Sequence, residues 1–267
     1  MRSVSLLLSF LLFTTVSYAD SSKTYPKKEL QDVVNQAEEG TVFLFDLDDT
    51  LFTTKNRNMK ILTEFVSGKS NCVDIESLCR HVKRNLSSRH LEWNFTNTLK
   101  NLGFSDENIK AFAPKYKTFW GPRFFGNSYL KYDELNPGAK DYVQKIFKKG
   151  ATIFYLTGRN DADMRKGTEE AIRRAGLPFD HERVHLMLKP GDADDTEFKK
   201  TVFESVAKLG RLVAAYENEP DNIMAMADFE GFKGGAFFFL DTLNSGKGVT
   251  TLASRPDLIW AVDFETK

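Results

Sequence analysis

The chain has 267 residues, 41% hydrophobic and 28% charged, with 37 Lys and Arg against 37 Asp and Glu. That marks an ordinary globular chain, long enough for one large domain or a domain carrying an insertion. The balanced charge excludes a global electrostatic pull towards nucleic acid or acidic membranes.

Arg2, the apolar run at residues 6–13 and the small-x-small triplet Ser17-Tyr18-Ala19 form the pattern of a signal peptide. The apolar run is too short for an ordinary membrane span. We therefore expect residues 1–19 to be removed near Ala19, leaving an exported chain (periplasmic or secreted) with no stable membrane anchor. Residues 27–39 follow as a predicted helix, with Leu30, Val33, Val34 and Ala37 at helical spacing and Gly40 as its stop.

Residues 41–52 read TVFLFDLDDTLF. An apolar run rich in aromatic and β-branched residues predicts a strand buried on both faces. Such a strand ends in Asp46, Asp48 and Asp49 only where something receives the charges, because an unpaired buried charge costs several kcal/mol. The C-terminal edge of a parallel sheet is that place. Asp46 and Asp48, two apart, lie on one side of an extended chain. One can attack while the other moves protons.

Strand plus Asp46-Leu47-Asp48-Asp49-Thr50 resembles the first motif, DxDx[T/V], of the haloacid dehalogenase superfamily of phosphohydrolases. The resemblance implies a three-layer, mostly parallel α/β sheet of Rossmann-like form. It also implies Asp46 as nucleophile, Asp48 as general acid and base, and magnesium held in part by both residues.

Residues 53–132 change to helical patterning with no strong strand, and Ser105 and the acids after it predict a helix start. An insertion here resembles the helical cap of many superfamily members, which closes over the site. Trp120, Phe124, Phe125 and Tyr129 either line the site or form cap core, and Lys115, Lys117, Arg123 and Lys131 are the cations expected to face it. Cys72 and Cys79 would lie roughly 10 Å apart along one continuous helix, beyond disulfide reach. A bridge needs a turn between them, which Asp74 could supply as an N-cap; two free thiols are the alternative.

Pro137 suits the first turn of a helix running to Lys149. A second buried strand, residues 151–156, then closes in Thr157-Gly158-Arg159, resembling the second superfamily motif. Thr157 would hydrogen-bond a phosphoryl oxygen, Gly158 would let backbone amides approach it, and Arg159 would either grip the phosphate or form a surface ion pair. Residues 162–175 predict a helix, 183–188 a third strand, and residues 195–210 another helix. The motif lysine implied by the resemblance is Lys199 in preference to Lys189 or Lys200, since a dianionic phosphate beside two carboxylates needs a cation. A fourth strand, 211–216, ends in Glu217 and Asn218 where the family commonly has two aspartates. Both are candidate metal ligands, with Glu219 and Asp221 in reserve. Residues 236–240 predict a fifth strand, and the tail from Val249 is uninformative.

The expected organisation is a leader at 1–19, an α/β core from 20–52 and 133–267, and a cap at 53–132. The expected function is magnesium-dependent hydrolysis of small phosphate esters such as nucleotides or sugar phosphates. The alternatives are a non-catalytic phosphate-binding or storage protein and a nucleic-acid 3′-end phosphatase; neutral charge and export count against the last. The oligomeric state is not legible.

Overall fold

The apolar run beginning at Thr41 becomes β1 (Thr41–Phe45), and every residue of it is buried. The structure, a computed structural model, describes residues 26–266, so the expected leader and its cleavage point lie outside the described residues. Helix α1 (Lys27–Asn35) precedes β1 and buries Leu30, Val33 and Val34. After β1 a tight loop leads to the short β2 (Phe52–Thr53). Four helices follow: α2 (Lys55–Ser67), α3 (Glu76–Asn85), α4 (Phe95–Asn101) and α5 (Asp106–Phe124). The chain returns through β3 (Glu134–Leu135), antiparallel to β2.

Thereafter strand and helix alternate: α6 (Ala139–Lys148), β4 (Thr152–Asn160), α7 (Asp161–Ala175), β5 (Val184–Lys189), α8 (Asp195–Ala207), β6 (Arg211–Glu217), α9 (Pro220–Asp228) and β7 (Ala236–Leu240). The chain closes with the one-turn α10 (Val249–Leu252) and β8 (Leu258–Ala261). Six strands pair in parallel in the order β5–β4–β1–β6–β7–β8. This is one strand more than the five expected: the short apolar run at 258–262, in the tail left unassigned, supplies the edge strand β8, of which only the ends are buried.

Alternation along β1 builds the layers. Phe43 and Phe45 enter one core with residues of α1, α6 and α7, while Val42 and Leu44 enter the other with residues of α8 and α9. Across the first face Phe45 stacks on Tyr216 at 4.6 Å, and Tyr216 on Phe238 at 4.9 Å. Each fully buried Val, Leu or Phe contributes about 1.5–3 kcal/mol, so β1 is strongly fixed at the sheet centre. From β1 the chain moves outward to β4 and β5, then crosses back to β6, β7 and β8. The reversal falls between β1 and β6, the crevice where open α/β sheets bind ligands.

Helices α2 to α5 have a core of their own, in which Phe65, Phe112 and Tyr116 meet edge to face with Ile61, Leu62, Val82 and Leu99 around them. Cys72 and Cys79 form a disulfide inside it. The turn that brings them together comes from Asp74 in a left-handed conformation (φ 66°), not from Asp74 as a cap, since Ile75 holds the N-cap position. A second correction concerns Pro137: it precedes the helix, and Gly138 at φ 75° is the N-cap of α6. A Cβ at Gly138 would sit 2.6 Å from the Phe264 backbone, so the C-terminal tail packs directly on this turn.

Gly167 seats α7 against the segment that returns from the helical insertion. An added Cβ would lie 2.6 Å from the Asn127 carbonyl oxygen, and the Gly167 amide donates to Asn127 Oδ1 at 2.5 Å. Alanine is the better helix former by about 1 kcal/mol, but overpacking against fixed backbone costs about 1–3 kcal/mol. Gly167→Ala is expected to be net destabilising in chemical denaturation; a gain in stability would show that this contact yields freely.

Candidate active site

Asp46 lies one residue beyond β1, and its amide donates to the Tyr216 carbonyl of β6 at 3.0 Å. From one turn into α8, with Asp194 capping the helix, Lys199 reaches the sheet edge. Its Nζ donates to Asp46 Oδ1 at 2.8 Å and to Glu217 Oε2 at 2.5 Å. All three groups are almost fully buried, at 4%, 2% and 0% exposure for Asp46, Lys199 and Glu217. Lys189, the rival at the strand end, instead pairs with Asp195 on the surface.

Two carboxylates therefore share one ammonium. Burial, with the Glu217 carboxylate adding to it, pushes the Asp46 carboxyl up to about 7 against the pull of Lys199. Burial disfavours the Lys199 charge, but Asp46 and then Glu217 outweigh it and hold the ammonium well above its usual range. Asp46 Oδ2 accepts no hydrogen bond from a described residue, which leaves one carboxylate oxygen for chemistry.

Asp48 is held differently. Its Oδ1 accepts from Arg159 Nε at 3.1 Å, Arg159 Nη2 at 2.5 Å and Arg57 Nη2 at 2.7 Å. Burial raises the Asp48 carboxyl, yet Arg159 and Arg57 more than reverse that and keep it well below the carboxylate range. Arg159 thus neither sits on the surface nor stands free to grip a phosphate; it is locked in a buried ion network with Asp48 and Asp133. Asp49, the third acid, turns at φ 54° and accepts from the amide and hydroxyl of Thr54 at 2.9 and 2.8 Å. Burial pushes its carboxyl up to about 7, with Thr54 opposing. It braces the loop.

Thr157 is buried on β4, and its Oγ1 accepts the Arg159 amide at 3.3 Å, leaving the hydroxyl proton free to donate. Gly158 has a packing reason to be glycine: a Cβ there would meet the Asp195 carboxylate at 2.5 Å. Glu217 uses both oxygens. Oε1 accepts the amides of Asn218 and Glu219, each at 2.9 Å, and Oε2 accepts Asn222 at 3.3 Å besides Lys199. Asn218 commits both ends of its amide, accepting from Thr50 at 3.1 Å and donating to the Leu243 carbonyl at 2.6 Å. Glu219 accepts the Ser245 amide at 3.0 Å.

A hard divalent ion fits this corner in charge and donor type. The two buried carboxylates of Asp46 and Glu217 outnumber the single ammonium, and a free Asp46 oxygen is available. Among the described residues no three His, Cys, Asp or Glu side chains converge as a cage; magnesium retains waters and takes one or two carboxylates, so two suffice.

Two residues of this region escaped the sequence reading, Arg57 and Asp133. Arg57 did leave a signal: it stands four residues before Ile61, on the apolar stripe of α2, where an unpartnered charge would be costly. Asp133 left none. The cations expected to face the site do not all do so: Lys115 donates to the Val73 carbonyl at 2.6 Å, and Arg123 lies 3.4 Å over the Phe119 ring. Of the aromatics, Trp120 and Phe124 stack at 4.6 Å, Trp120 donates to Asn58 at 2.8 Å, Tyr129 bonds Glu64, and Phe125 stays half exposed.

Residues 96–225 match the family model described as HAD superfamily, subfamily IIIB (acid phosphatase). The matched segment starts inside the helical insertion and runs to α9, taking in Thr157, Lys199 and Glu217 but not Asp46 or Asp48. The comparison with curated proteins finds no match. Among solved structures, a Clostridium difficile protein described as a phosphatase aligns at 13% identity, covering 84% of this chain and 94% of its own, with a TM-score of 0.48. A haloacid dehalogenase-like hydrolase from Bacteroides fragilis aligns at 14% identity, covering 84% and 97%, with a TM-score of 0.46. Protein tyrosine kinase A of Mycobacterium tuberculosis aligns at 12% identity, covering 86% and 96%, with a TM-score of 0.48. At those values the likenesses carry no functional argument.

Proposed function

We propose that this chain, a member of the haloacid dehalogenase superfamily and a phosphoric monoester hydrolase, works through a phosphorylated Asp46 and a divalent metal ion, magnesium. The observation that carries the reading is the buried Asp46–Lys199–Glu217 cluster at the sheet's switch point, with Asp48 beside it. Asp46 Oδ2 attacks phosphorus as the bond to the leaving oxygen breaks, and Asp48, protonated once the dianionic substrate beside it offsets the two arginines, gives that oxygen a proton. Asp48, now a carboxylate, then takes a proton from the water that displaces phosphate from Asp46, which restores the Asp46 carboxylate and the Asp48 acid. Lys199 and the Thr157 hydroxyl hold the transferring phosphoryl oxygens, compensating charge as it builds. Asp46 and Glu217, with the Asp48 backbone carbonyl, are the groups that would hold the metal; when bound it supplies charge neutralisation and Lewis acidity.

The substrates we propose are small extracytoplasmic phosphate esters such as nucleotides or sugar phosphates. The leader-like pattern at residues 1–19 supports export, and so does the Cys72–Cys79 disulfide, a bond that persists in oxidising compartments. Among the described residues no helix is long and apolar enough to cross a membrane.

The test is hydrolysis of p-nitrophenyl phosphate by the chain lacking residues 1–19, before and after chelation. Chelation is expected to lower turnover by more than about a hundred-fold, with magnesium restoring it. Absence of turnover with every divalent ion would overturn the catalytic reading and favour phosphate binding.

A further inference from the structure

We propose that Arg57 and Asp133, with Arg159, form a positioning assembly that holds Asp48 for proton transfer, so that seating of the helical insertion on the core is itself required to protonate the leaving group. The inference rests on the reading of Asp48 as the proton-transferring acid and adds the residues that aim it.

Four separate segments converge here. Asp48 comes from the loop after β1, Arg57 from the first turn of α2, Asp133 from the strand-entry segment before β3, and Arg159 from the end of β4. Asp133 grips Arg57 through two parallel bonds, Nε to Oδ1 at 2.8 Å and Nη2 to Oδ2 at 2.6 Å. A fork of this kind fixes a guanidinium in plane as well as in place. The remaining nitrogen of Arg57 donates to the Phe124 carbonyl at 3.1 Å, and the Phe124 ring lies 4.4 Å beneath the guanidinium carbon. Arg159 is equally bound, with Nη2 on Asp133 Oδ2 at 2.9 Å and Nη1 on Thr168 at 3.2 Å.

The side chains of Arg57, Asp133 and Arg159 are 0% exposed, while Asp48 retains 28%. The two arginines therefore present no open face to a substrate. Their donors end on one atom, Asp48 Oδ1, which takes three hydrogen bonds while Oδ2 takes none from the described residues. One oxygen anchors the group in place, and the other is left for the proton that reaches it once a dianionic substrate offsets the two arginines. Asp133 balances the second arginine, so the group is two cations on two anions.

A latch that only fastened the insertion to the core would have the same contacts. Leaving-group dependence separates the two roles. p-Nitrophenolate departs without a proton, whereas an alkoxide needs one, and kcat/KM reports the steps up to departure. With saturating magnesium, kcat/KM is measured for the unaltered chain, Arg57→Met, Arg57→Lys and Asp133→Asn on p-nitrophenyl phosphate and on glycerol phosphate. Arg57→Met and Asp133→Asn are expected to lose about a hundred-fold on the alkyl ester, the lower bound for a general acid. The same variants should lose less than about five-fold on the aryl ester. Arg57→Lys, which keeps the charge and loses the fork, should fall between. The ratio of the two esters does not depend on how much of a variant is folded, so partial unfolding cannot imitate the result. Equal losses on both esters would overturn the proposal and leave the function reading standing. No turnover of either ester by the unaltered chain would defeat the function reading, and this proposal with it.

Discussion

Asp46→Asn is expected to abolish phosphatase activity and, in metal-free protein, to raise the melting temperature. An amide oxygen is no nucleophile towards phosphorus, so turnover should fall by at least about a thousand-fold. Stability moves the other way because of how Asp46 is held. Its carboxyl is raised from 3.8 to about 7, first by burial and then by Glu217, so the folded chain binds that proton more tightly than the unfolded chain does. Below about pH 4 both states are protonated and nothing is lost. Between pH 4 and 7 the penalty for ionising Asp46 in the folded state grows, and above pH 7 it is full, on the order of a few kcal/mol.

Replacing Asp46 by Asn removes that penalty and leaves Lys199 and Glu217 as a one-to-one pair. The gain should therefore be large at pH 8 and vanish near pH 4, measured by thermal denaturation in chelator. Added magnesium should stabilise the unaltered chain more than Asp46→Asn, because a ligand that binds only the folded state stabilises in proportion to its affinity. Activity surviving in Asp46→Asn would sink the covalent mechanism. An inactive variant that is also less stable at pH 8 would show that the carboxylate is held more favourably than its shared ammonium implies.

The parts of this site that were legible in the sequence are those carried by a single uninterrupted segment. Residues 41–45 announce a buried strand because all five are apolar or β-branched, and the acids that follow can only lie at its end. The register of α8 likewise puts Lys199 one turn behind its acidic N-terminus. What stayed hidden is pairing between segments. Arg159 reads as a phosphate grip or a surface ion pair until Asp48 and Asp133 are seen against it, and the Asn218 amide reads as a metal ligand until Thr50 and Leu243 occupy it. Asp133 and Arg57 are 76 residues apart in the chain, and no periodicity relates them. The strand β8 was lost for a different reason: its apolar run, residues 258–262 between Asp257 and Asp263, is short, and periodicity alone does not tell a short apolar run in a strand from one in a helix.

Lys199→Met should be the most damaging single change for stability. Methionine matches the lysine stem in shape, so the loss is nearly all charge. Asp46 and Glu217 would remain buried with no cation between them, and breaking a buried pair by removing one partner costs about 3–5 kcal/mol. For a chain of this size that corresponds to a fall of roughly 10 °C in melting temperature. The loss should shrink on acidification, because the two carboxyls can then take up protons and the orphaned charge disappears. It should also shrink in the double variant Asp46→Asn, Lys199→Met, where Glu217 still has the Asn218 and Glu219 amides on Oε1. Additive effects of the two substitutions in that double variant would show that Asp46 and Lys199 do not interact energetically, against their 2.8 Å contact. High magnesium offers a second rescue, a divalent ion standing where one ammonium stood. Rescue of stability should not restore turnover if Lys199, as proposed, also holds the transferring phosphoryl oxygens, since loss of one such donor lowers kcat by about a hundred- to a thousand-fold. A variant that regains both stability and full activity in magnesium would reduce Lys199 to a counter-ion.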